Sequence, residues 1–132
     1  MSNGIVKIGA MQYAMILDNT PKSKAFVAEI DGENIKNMDD YLSAVWRAFR
    51  FPQTGHVNYY AYLDWIRDLD WLGTDAYIFA IRDFQTFMDK APKEKEIILN
   101  SLENIVIPWW DSEIEKFQVE GLAKPFKVYL VD

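Results

Sequence analysis

Three short apolar runs constrain this chain more than any other feature. Ala76 to Ile81 (AYIFAI) carries no charged side chain, while Ala25 to Ile30 (AFVAEI) and Phe126 to Val131 (FKVYLV) carry one each. Near-continuous apolar strands are expected where helices cover a parallel sheet, whereas a half-solvated antiparallel strand alternates. Asp31-Gly32 is a turn pair that ends the first run, and Pro125 precedes the last. The intervening stretches have helical period. Asn37 is placed to cap a helix with Asp39 and Asp40 in its first turn, where the dipole favours anions. Leu42, Val45, Trp46 and Phe49 then fall at i, i+3, i+4, i+7, and Phe51-Pro52 stops the helix.

Pro52 to Val57 reads as a loop, and Asn58 is placed to cap a second helix. Tyr59, Tyr62, Leu63, Ile66 and Leu69 form its inward face; Tyr60, Asp64, Arg67, Asp68 and Trp71 lie opposite. A third helix carries Ile98, Leu102, Ile105 and Val106. Pro108 is expected to break it and start a fourth with Trp110, Ile114 and Phe117 on one face. Strand, two helices, strand, helices, strand is the order of an α/β fold: a small parallel sheet, one layer thick, with helices packed on it.

The chain has 132 residues, and half are hydrophobic, which suits a single globular domain and excludes disorder as a description of the whole. Its first segment, Gly4 to Leu17, is apolar but interrupted by Lys7 and Gln12, and it ends in Asp18-Asn19-Thr20-Pro21. It lacks the basic leader and small-residue cleavage site of a signal peptide, and no stretch approaches the ~20 apolar residues of a membrane span. Residues 1–23 are therefore expected to be an extension, an extra strand or hairpin that can cover a sheet edge, on a domain of residues 24–132.

With 20 acidic against 14 basic residues the net charge is −6. Such a chain is repelled by phosphate backbones and anionic lipid, so neither nucleic acid nor membrane is an expected partner, and a basic protein is favoured. There is no cysteine, which excludes disulfides and thiol chemistry and fits a reducing cytoplasm. His56 is the sole histidine, so no multi-histidine metal site exists, and no nucleophile elbow, P-loop or GxGxxG is present. Neither an enzyme nor a cofactor is expected. What remains is a surface: Phe51 to Ile81 holds Asp64, Asp68, Asp70 and Asp75 against the single cation Arg67. Asp64 and Asp68 lie one turn apart, with Tyr60 a turn earlier and Trp71 near the end. On pattern alone a solvated helix face with incidental rings is the first reading, and a docking face for a cationic partner, in which rings exclude water around the charges, is the second.

The chain resembles the barstar family, the intracellular inhibitors of barnase-type ribonucleases. The resemblance rests on Ile30-Asp31-Gly32, Phe51-Pro52, Asn58, Ala61, Asp64, Ile66-Arg67-Asp68-Leu69, Trp71-Leu72, Asp75-Ala76-Tyr77-Ile78, Arg82-Asp83, Trp109-Trp110 and Pro125-Phe126-Lys127-Val128. It covers about Lys24 to Asp132. It implies a three-stranded parallel sheet with helices on one side. It also implies a 1:1 complex in which the second helix and the loop before it plug a basic extracellular-type ribonuclease or nuclease toxin, making the chain an immunity protein. Asp64 falls on the family's dominant acidic position, as a phosphate mimic, and Asn58 on the helix-start cap. Tyr60 stands where the family usually has Asp, Leu63 where its prototype has Trp, Thr54 where it has a contacting Tyr, and Asp68 where it has Gly. His56 replaces the usual Gly, and Glu120 is a candidate for a later acidic contact from the last helix, in a register the resemblance leaves unassigned. The implied docking set is thus Asp64, Tyr60, Leu63, Asp68, Thr54 and Trp71. With departures gathered on this surface, two functions follow: inhibition of a coevolved nuclease, or a non-inhibitory protein-interaction module on the same scaffold.

Overall fold

The computed structural model describes residues 3–52 and 57–132. Four strands form one parallel sheet in the order β1-β4-β3-β2: β1 (Gly4–Ile8), β2 (Ala25–Asp31), β3 (Ala76–Arg82) and β4 (Phe126–Val131). The α/β class and the parallel sheet agree with the sequence reading. The strand count does not: the resemblance implies three, and β1 adds a fourth by pairing along β4 in the register Gly4–Lys127 to Ile8–Val131. The Asn3 side chain accepts from the Phe126 N–H at 3.0 Å, which fixes the start of that pairing.

The helices also differ from the expected one-sided arrangement. On one face lie α2 (Met38–Ala48), α3 (Tyr59–Ile66) and a long helical stretch over 92–117; on the other lies α1 (Ala10–Asp18). Strand periodicity divides β3 between them. Tyr77, Phe79 and Ile81 enter the large core with Tyr41, Val45, Phe49, Ile66, Leu102 and Trp110. Ala76, Ile78 and Ala80 turn to the α1 side, where Tyr13 fills the space over the alanines together with Tyr129 and Val131. The Tyr13 hydroxyl donates to the Glu29 carboxylate, so α1 is tied to the opposite edge strand. Double coverage explains why AYIFAI is apolar without interruption.

Local chemistry sets the helix ends. Asn37 and Asn58 cap α2 and α3 by accepting from the N–H groups of Asp40 and Ala61, each at 2.9 Å. At the end of α2, Arg50 adopts a left-handed conformation (φ 55°), and the Phe51 N–H returns to the Trp46 carbonyl. The Gly32 turn after β2 needs its missing Cβ: one added there would meet the Arg82 carbonyl oxygen at 2.5 Å.

Pro108 was expected to separate two helices, and here the structure differs. Helical backbone continues from α4 (Pro92–Ser101) through π-helical turns at Leu102–Val106 and Trp109–Glu113 into α5 (Ile114–Phe117). The Ile107 N–H reaches the Leu102 carbonyl, five residues back. Proline has no N–H and its ring presses on the carbonyl four residues earlier; wider turns on either side accommodate it without ending the helix.

This stretch holds α3. The indole N–H of Trp110 donates to the Ile66 carbonyl at 3.0 Å, and that of Trp109 donates to the Arg67 carbonyl at 2.8 Å. Two of the carbonyls that a helix leaves unsatisfied at its end are thereby paired. Within the core, the Tyr41 and Tyr62 hydroxyls lie 2.8 Å apart, joining α2 to α3.

Two predictions follow from this packing. Trp110 is 1% exposed, so W110F removes buried ring volume and strands the Ile66 carbonyl; a loss of about 2–4 kcal/mol is expected in urea unfolding. The second concerns alkaline pH. Burial pushes the Tyr62 phenol up to about 12 and Tyr41 well above its ordinary value. Unfolded tyrosine ionises near ~10, so above that pH the unfolded chain releases protons that the folded chain retains. Stability should be flat below about pH 9, fall as pH rises from ~10 toward ~12, and fall less steeply in Y62F, as read from urea midpoints across that range.

Candidate protein-docking site

The outward side of α3 carries two of the residues singled out from sequence, Tyr60 and Asp64. Tyr60 is 78% exposed, its ring edge-on to Tyr59 at 5.7 Å. One turn on, the Asp64 side chain is 81% exposed, its carboxylate projecting from the surface. A further turn on, just beyond the helix, the Asp68 carboxylate accepts from the Asp70 N–H at 3.2 Å. Asp64, Arg67 and Asp68 line a shallow groove of about 270 Å³, closed on the far side by Trp109 and Gln118 from the 92–117 stretch and the loop after it.

Arg67 is fixed in this groove by three contacts. Its Nε donates to the Leu63 carbonyl at 3.0 Å, its guanidinium lies 5.4 Å from the centre of the Trp109 ring, and one Nη stands 3.4 Å from the Asp64 carboxylate. The first is a helical i,i−4 back-bond and the second a cation–π contact. Phe117 stacks on Trp109 at 6.5 Å and is itself largely exposed, extending the rim with an apolar ring.

Two members of the expected docking set serve the fold at least as much as the surface. Leu63 is half-buried against the core. Trp71 is half-buried too: its indole N–H donates to the Phe49 carbonyl at 2.9 Å, and its ring meets Phe51 and Trp65 edge-on. Its position opposite the inward face of α3 does not expose it, because Leu69 turns left-handed (φ 59°) and redirects the chain. Thr54 and His56 lie outside the described residues. Glu120 lines a neighbouring groove with Asp70, Trp110 and Lys124.

The sequence pattern does not single out Arg67, Trp109 or Gln118 as docking residues. The i,i+3 spacing of Asp64 and Arg67 is a signal for their pairing, whereas the approach of Trp109 and Gln118 depends on tertiary contacts between segments some forty residues apart.

Among the described residues, the carboxylates of Asp31, Glu33 and Asp83 come within 4.8 Å of one another, and all three residues are exposed. Asp31 already accepts from the Glu33 N–H and the Asn34 amide, which accounts for the turn they form. No helix among the described residues is long and apolar enough to cross a membrane.

No curated protein and no solved structure gives a match to the chain. A family model does: the one described as Barstar (barnase inhibitor) matches residues 25–130, from the start of β2 into β4 and including the whole acidic groove. β1 and α1 precede the matched region. The chain belongs to the barstar family.

Proposed function

We propose that this protein inhibits a ribonuclease by laying the exposed side of α3 across the enzyme's cationic cleft. The observation that carries the reading is the Asp64 carboxylate, standing in solvent on the second helix of a barstar-family domain. A cleft that binds RNA phosphates presents converging cationic groups. A projecting carboxylate satisfies those groups without offering a bond to cleave, so inhibition is competitive with RNA. Asp68 supplies a second charge one turn away, and Tyr60 contributes ring surface that excludes water from the contact, which strengthens the charge pairs beside it. Leu63, Trp71 and Thr54 complete the proposed contact set. The partner on this reading is a basic ribonuclease or nuclease toxin bound 1:1, and the chain acts as its immunity protein in the cytoplasm. No catalytic role is proposed for the chain itself.

Asp64 is well suited to test this. It lies in the last turn of α3, at the negative end of the helix dipole, so its removal does not weaken the helix. The chain should abolish cleavage of a fluorescent RNA by barnase, or by a nuclease recovered by pull-down from the native lysate, at a 1:1 ratio. Association should slow as salt rises, because exposed charges are screened. D64A should retain the wild-type melting temperature and lose about 30-fold or more in affinity, the scale of a hot spot of about 2 kcal/mol. Undiminished binding by D64A would remove Asp64 from the contact. Binding without loss of RNA cleavage would instead favour an interaction module that does not inhibit.

A further inference from the structure

The docking groove contains a cation of its own, and that cation is not free to leave. Three features hold Arg67: the Leu63 carbonyl, the face of Trp109 and the Asp64 carboxylate. Two of these are independent of Asp64, so a competing cation that takes over Asp64 leaves Arg67 in place. Its side chain is nevertheless about one-third exposed, 32%, so a bound partner meets its charge. The groove therefore holds two carboxylates and one cation: Asp64, Asp68 and Arg67. Any partner group that pairs with Asp64 must come close to a fixed guanidinium 3.4 Å from that carboxylate.

We infer that Arg67 is a specificity-determining residue, which makes the groove select a ribonuclease surface carrying a carboxylate among its cationic groups over a uniformly cationic surface. The inference rests on the docking reading above and names the charge pattern that reading leaves open. Specificity arises as much from repulsion of the wrong partner as from attraction to the right one. A surface of cations alone is drawn by Asp64 and Asp68 and opposed by Arg67. A surface that also carries a carboxylate within reach of Arg67 turns that opposition into a third pair. A ribonuclease cleft supplies one where the general base of phosphodiester cleavage is a carboxylate set among the phosphate-binding cations. Trp109 helps hold the charge in the groove, because its ring face attracts a cation placed over it.

The test compares two probes, a hexa-arginine amide and barnase, by calorimetric titration at low salt against the wild type, R67Q, R67K and D64N. R67Q should bind hexa-arginine about threefold more tightly, the scale of one exposed charge. It should bind barnase roughly tenfold more weakly, because it abandons a charge pair at the interface. R67K keeps the charge and should keep most of the wild-type preference between the probes. Melting curves establish that each variant is folded. If R67Q leaves the preference unchanged, or R67K loses it as fully as R67Q, the inference is overturned while the docking face stands. If D64N binds both probes as the wild type does, or the wild type binds neither, the docking face falls and this inference with it.

Discussion

The contact on which the surface depends is the pair of hydrogen bonds from Trp109 and Trp110 to the last carbonyls of α3. A helix of eight residues is too short to be stable alone. What gives α3 a defined position is its attachment: Asn58 at its start, Tyr62 in the core bonded to Tyr41, and two adjacent indoles at its end. The same indoles bring the 92–117 stretch alongside α3 and so create the groove that neither segment has by itself. The ring that caps the Arg67 carbonyl also carries the Arg67 guanidinium, so backbone anchoring and surface electrostatics meet in one side chain.

That arrangement places charge where the helix alone would not choose it. Asp64 stands near the negative end of α3, and Arg67 beside it offsets part of that cost. Conflict between local preference and observed residue is what a binding site commonly shows.

Much of the fold was legible in the sequence because it rests on local signals. The apolar runs gave β2, β3 and β4. The two asparagine caps located α2 and α3, and the periodicity of Leu42, Val45 and Trp46 identified the inward face of α2. The differences lie where local rules are overridden. Pro108 reads as a helix breaker, yet π-helical turns carry the helix past it. Trp71 reads as outward by helical phase, but the phase is lost when Leu69 turns left-handed. At the site, the exposure of Tyr60 and Asp64 followed from periodicity, whereas Trp109 and Gln118 come from a distant segment and left no local trace.

The fourth strand carries a consequence for how the molecule is made. β1 pairs only with β4, and the bond from Phe126 to Asn3 spans 123 positions of the chain. On the ribosome, β1 emerges well before β4, its neighbour in the sheet, so the nascent chain carries an unmatched strand while β2, β3 and the helices between them are made. α1 adds to the exposure, since the surface that Tyr13 covers is assembled from β2, β3 and β4. Lys7, the one charged residue of β1, puts a charge on that edge strand, a feature that disfavours pairing with another chain.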